Sequence, residues 1–105
     1  MFAWVALLVA GLFEVVWAYT MKLSNGLTSL YYSSITIVAM IISFGLLAFA
    51  MKSLPLGTAY MIWTGIGAIG AFVVGIMILG EPMTFLRILA AMLIFSGLIL
   101  MKMAS

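Results

Sequence analysis

Few residues in this sequence can move a proton or hold an ion. There are two carboxylates, Glu14 and Glu81, four cations, and no histidine or cysteine. Without cysteine, disulfide frameworks, thiol nucleophiles and thiolate metal sites are excluded. Without histidine, the commonest general base and metal ligand are missing. No metal, no cofactor and no enzymatic reaction are expected. The cations are scattered, so no basic patch for nucleic acid forms. Glu14 is different, because it stands inside an apolar run from Phe2 to about Met21. A carboxylate there can carry a proton or, once ionised, hold a cation, but not both at once. Such a group couples proton movement to cation movement. Glu81 sits in a Gly80-Glu81-Pro82 break. An acid suits the positive end of a helix and proline suits a first turn, so Glu81 is expected to cap a helix rather than to bind cargo.

Residues three and four positions from Glu14 share its helical face. They are Ala10, Gly11, Trp17 and Ala18. The small ones leave room beside the carboxylate. Trp17 adds an indole N–H and a ring face that attracts cations; alone it would be an ordinary packing residue. Tyr60 and Trp63, with Thr64 beside them, are aromatics whose polar ends need partners when buried. Trp63 lies deeper in its run than an interfacial anchor should. Ser43 is the polar group in the middle of the second run. It either bonds its own backbone or orients a polar partner. Gly11, Gly65, Gly67 and Gly70 read as close-packing positions. Glycine also weakens a helix against bending, so a hinge over Gly65–Gly70 could open one face of the molecule and close the other.

The elements that must carry these residues follow from composition. The 105 residues are 69% hydrophobic and 6% charged, far from the about 45–50% and 25% of a soluble domain. Four apolar runs, about 2–21, 32–51, 56–79 and 83–102, make one domain, 1–105. Each matches the roughly 20 residues of a membrane helix; barrel strands would be about half as long and would alternate with polar residues. The breaks are Ser24-Asn25-Gly26, Lys52-Ser53-Leu54-Pro55 and Gly80-Glu81-Pro82, turn and helix-stop signals. The first run lacks a basic leader and contains Glu14, so it reads as a span and not as a signal peptide. The expected fold is an all-α membrane protein, an up-down-up-down bundle of four transmembrane helices with both termini on one side. Lys52 and Lys102 then face one side, Lys22 and Arg87 the other. Orientation follows loop cations, and two against two gives no bias. Dual topology, with opposed copies paired as an antiparallel homodimer, is the sharper expectation. Ala90, Ala91, Ser96 and Gly97 suit the last run to dimer contact.

Ala10-Gly11-Leu12-Phe13-Glu14-Val15-Val16-Trp17-Ala18, the Lys22…Ser24-Asn25-Gly26 loop, Lys52 to Tyr60, Ile62-Trp63-Thr64-Gly65-Ile66-Gly67-Ala68 and Gly80-Glu81-Pro82 together resemble the small multidrug resistance family of transporters. The likeness runs the length of the chain. Trp17 resembles the guanidinium-exporting branch; the quaternary-ammonium branch typically has glycine there. The resemblance implies a proton-coupled antiporter of guanidinium or another small organic cation, working by alternating access as a dual-topology homodimer in a bacterial inner membrane. It implies Glu14 as the shared proton and substrate site, with Trp17 and Ser43 as its hydrogen-bonding shell and Tyr60 and Trp63 as lining and gating aromatics. Met61, where alanine is usual, and Gly45, where a bulkier residue is common, imply an altered pocket or lateral opening. The alternatives are a broader quaternary-ammonium exporter, or a small pore-forming or accessory membrane protein. Substrate-driven proton flux separates the transporters from the last two.

Overall fold

The computed structural model describes residues 2–105 as four helices. They are α1 (Phe2–Leu23), α2 (Leu30–Ala50), α3 (Leu56–Met77) and α4 (Phe85–Met103). All four are long and apolar enough to cross a membrane. In hydrocarbon a backbone must bond to itself, so a run of this length has only the helix available. The expected ends lie within two residues of these. Pro82 and Met83 stay in the connector, and Thr84 caps α4 by accepting from Arg87 N at 3.3 Å.

The α1–α2 connection winds round one buried side chain. Ser24 is fully buried; its hydroxyl donates to Met21 O at 2.6 Å and accepts from Leu27 N at 2.9 Å. Asn25, Gly26 and Leu27 all have positive φ. A left-handed leucine costs about 1–2 kcal/mol, and the Ser24 bond holds Leu27 there.

The helices alternate in direction. Lys102 reaches over the Trp4 ring at one end, while Lys22 and Glu81 line one cavity at the other. They do not form the expected bundle. The chain is a slab of 39 × 34 × 16 Å, one helix tall and barely more than one helix thick. α1 packs against both α2 and α3, which also meet each other, and the α4 backbone approaches only α3. Side-chain size explains this order. On α1, Ala3, Ala6, Leu7 and Ala10 are buried against Leu47 and Ala50 of α2 and Ala59, Ile62 and Trp63 of α3. These mostly small residues let two neighbours approach one helix. α4 has no buried residue, and bulky Leu86, Met92, Leu93 and Leu100 stay bare.

Candidate functional site

Glu14 continues the packed stripe of α1. Ala3, Leu7 and Ala10 recur at heptad spacing, and the next position is Glu14. The stripe that binds α1 to its neighbours therefore carries the carboxylate into the interior. α3 meets it with bare backbone, since a Cβ on Gly67 would run into the Glu14 carboxyl. The other expected glycines are also close approaches. Gly11 faces Ile66, Gly70 faces Val15, and Gly65 faces Leu98 of α4. α3 runs helical through Gly65, Gly67 and Gly70, so in this conformation they serve packing.

The site's hydrogen bonds differ from the expected shell. Ser43 does not spend its proton on Glu14. It donates to Ala10 O at 2.7 Å and accepts from Trp63 Nε1 at 2.9 Å. Ala10 is the residue whose carbonyl serves the Glu14 N–H within the helix. Ser43 thus grips the backbone that carries Glu14 and ties α1, α2 and α3 together. Trp17 Nε1 and Glu14 Oε1 are both buried without a hydrogen-bond partner.

Phe44, which the sequence reading passed over, links the aromatics. Its ring lies edge-on to Trp17 at 6.4 Å and to Trp63 at 5.7 Å, and Trp63 meets Tyr60 at 5.6 Å. These spacings suit T-shaped pairs. Trp17, Phe44, Trp63 and Tyr60 form a continuous chain from α1 through α2 to α3. Phe44 follows Ser43 directly in the sequence, and that adjacency was the available signal. Trp63 is buried and Tyr60 is half exposed. Met61 lines an apolar groove of about 400 Å³ between α3 and α4 with Tyr60, Thr64 and Leu98. Gly45 has open space around it and is not part of that groove.

Glu81 departs from its expected role. It does not cap α4, because that helix starts beyond it at Phe85. Its carboxylate pairs with Arg87 at 3.5 Å and its N–H donates to Gly75 O at 2.9 Å. Together with Lys22 and Tyr19 it lines a cavity of about 280 Å³. Ala18, one turn along α1 from Glu14, lines the same cavity, whose remaining lining is mostly apolar; Glu14 itself does not reach it. No group of three or more metal-ligating side chains occurs among the described residues.

Comparison with known proteins agrees with these features. The family profile described as Small Multidrug Resistance protein matches residues 2–94. A "Guanidinium exporter" of Yersinia pseudotuberculosis is 54% identical over 103 residues, covering 98% of this chain and 99% of its own. A "Guanidinium exporter" of Salmonella typhimurium is 52% identical and one of Citrobacter freundii 50%, each covering 98% of both chains. With four helices able to span a membrane and a family match over most of its length, the chain belongs to the small multidrug resistance family.

Proposed function

We propose that this protein exports guanidinium and small guanidinyl cations in exchange for protons, by alternating access, as an antiparallel dual-topology homodimer in a bacterial inner membrane. One observation carries the reading. A buried carboxylate oxygen of Glu14 and the buried indole N–H of Trp17, one turn apart, both lack a partner. An ion at mid-membrane costs about 2.5–3.5 kcal/mol on insertion scales, and a helix that only needed packing would place a leucine there. Guanidinium suits a carboxylate because its planar N–H groups bind in a fork. A proton on Glu14 removes that acceptor, so proton and substrate take turns. The aromatic chain from Trp17 to Tyr60 supplies ring faces for a cation on its way. Bending of α3 over Gly65–Gly70 would move Tyr60 and Trp63 relative to Glu14. The names of the relatives point to the same substrate.

Pairing of two copies is supported by the slab and by the charges. The first three helices pack on one another with α4 outside them, an arrangement that encloses little space for a polar pathway within one chain, and the outer face of α4 is bare. The cations at or near the helix ends are balanced at two and two.

The test is proton movement in liposomes, driven by a guanidinium gradient and, in parallel, by a quaternary ammonium gradient. Guanidinium is expected to drive the faster flux. Glu14→Gln, which keeps the shape but cannot ionise, should abolish exchange while the protein still inserts. Full exchange by that variant would refute the role of Glu14. Flux with the quaternary ammonium alone would replace the substrate assignment.

A further inference from the structure

α1 and α2 are joined by a second polar contact, outside the site described above. Thr20 Oγ1 and Thr36 Oγ1 lie 2.7 Å apart, and both residues are buried. Thr36 Oγ1 is also 2.8 Å from Tyr32 O. Thr20 Oγ1 is also 3.1 Å from Val16 O and 3.3 Å from Trp17 O. Two hydroxyls have two protons between them. One proton always bridges the helices, and the other satisfies a carbonyl on one side or the other. Both arrangements keep the bridge. Each hydroxyl also has a carbonyl of its own helix within reach, so the bridge sets the spacing of the helices rather than rescuing an orphaned group.

The positions of the two ties matter. The Ser43–Ala10 bond joins α1 to α2 one turn before Glu14. The Thr20–Thr36 bond joins them six residues after it. Glu14 and Trp17 lie on the stretch between, like a beam supported at both ends. Thr20 also backs onto the carbonyl of Trp17 itself, and the Trp17 ring rests edge-on against Phe44 of α2. The oxygen–oxygen approach is closer than carbon permits, since apolar atoms settle at roughly 3.5–4.0 Å. Replacing the pair by valines would open the helices at this level by about 1 Å. That displacement falls on Trp17 and, one turn further, on Glu14.

We propose that Thr20 and Thr36 are positioning residues, a hydroxyl clasp that sets the distance of Trp17 and Glu14 from α2 and so tunes cation binding. The proposal rests on Glu14 and Trp17 being the cation site, as argued above. It differs from a stability role in one respect. If the threonines only avoided an orphaned hydroxyl, removing both would be harmless. If they set a distance, the double valine variant stays defective.

Two measurements on the full-length protein test this. The first needs no transport. The indole N–H resonance of Trp17, identified by its loss in Trp17→Phe, should shift in Thr20→Val and in the Thr20→Val, Thr36→Val double variant. It should keep its wild-type position in Thr20→Ser, which retains the hydroxyl. The Trp63 resonance, held by Ser43, should stay unchanged throughout. The second is guanidinium-driven proton exchange in liposomes. Thr20→Val and the double variant should lower exchange at sub-saturating guanidinium by about 100-fold, as expected for a misplacement of about 1 Å, with folded yield near wild type. Thr20→Ser should restore it. A Trp17 resonance indifferent to both valine variants, or a double variant that exchanges like wild type, would overturn the clasp. If the wild-type protein moves no protons with guanidinium, the transport reading fails instead, and the resonances alone decide the clasp.

Discussion

The Glu14 carboxyl rests against bare backbone at Gly67, and Ser43 holds the turn of α1 that precedes it. These two contacts act differently. Ser43 works through the Ala10 carbonyl, so its loss loosens a helix. Gly67 limits the carboxyl directly. Gly67→Ala would insert a methyl group where the carboxyl now lies, and the Glu14 side chain would have to leave its position. A displacement of about 1 Å at a reacting group costs on the order of 100-fold in rate. Exchange by Gly67→Ala should fall by about that factor while detergent-solubilised protein remains monodisperse. Near-wild-type exchange would show that Glu14 works from another position. The alanine is small enough that a folding failure is not expected, which makes the rate the informative readout.

Ser24 does for the first connection what no single residue does for the others. The Lys52–Pro55 break stops α2 by chemistry that proline imposes locally, whereas the α1–α2 turn depends on a buried hydroxyl with two backbone partners. Ser24→Ala removes the acceptor of the Leu27 N–H at an exposed turn, a loss of about 0.5–1.5 kcal/mol. The midpoint of unfolding in rising SDS, followed by circular dichroism, should drop accordingly. An unchanged midpoint would mean that the left-handed stretch from Asn25 to Leu27 holds without Ser24.

The slab has one helix that packs against two neighbours, α1, and one nearly bare helix, α4. In water such a distribution would aggregate; in lipid it is tolerated because lipid tails are as apolar as leucine. It leaves the outer face of α4 free for a second copy. On the proposed dual topology, a cysteine at Ser105 should be labelled from both sides of native membranes, and the chain has no cysteine of its own to interfere. Labelling from one side only would refute the two-way insertion. Adding two lysines to the Lys22 and Arg87 loops should force one orientation and lower exchange until an oppositely biased copy is co-expressed.

The amino-acid sequence alone dictates the four helices, because hydrocarbon acts on the chain one segment at a time. A run near twenty apolar residues has to be helical, and a break with glycine or proline has to end it. It also marked Glu14, since the cost of an ion in that run does not depend on its neighbours. Tyr60 and Trp63 were legible as a pair for the same local reason, their spacing on one helix. Which faces met was not legible. Uniformly apolar helices show no polar side to set their rotation, so the Ser43 bond to Ala10, the place of Phe44 between two tryptophans, and the pairing of Thr20 with Thr36 were decided by tertiary packing. Packing also turned an expected bundle into a slab, by letting the small residues of α1 hold two helices while α4 kept its bulk outside. The same holds for Glu81. Its position in a helix-stop signal suggested a cap, but a carboxylate takes the nearest suitable cation, and only the path of the connector brought Arg87 within reach.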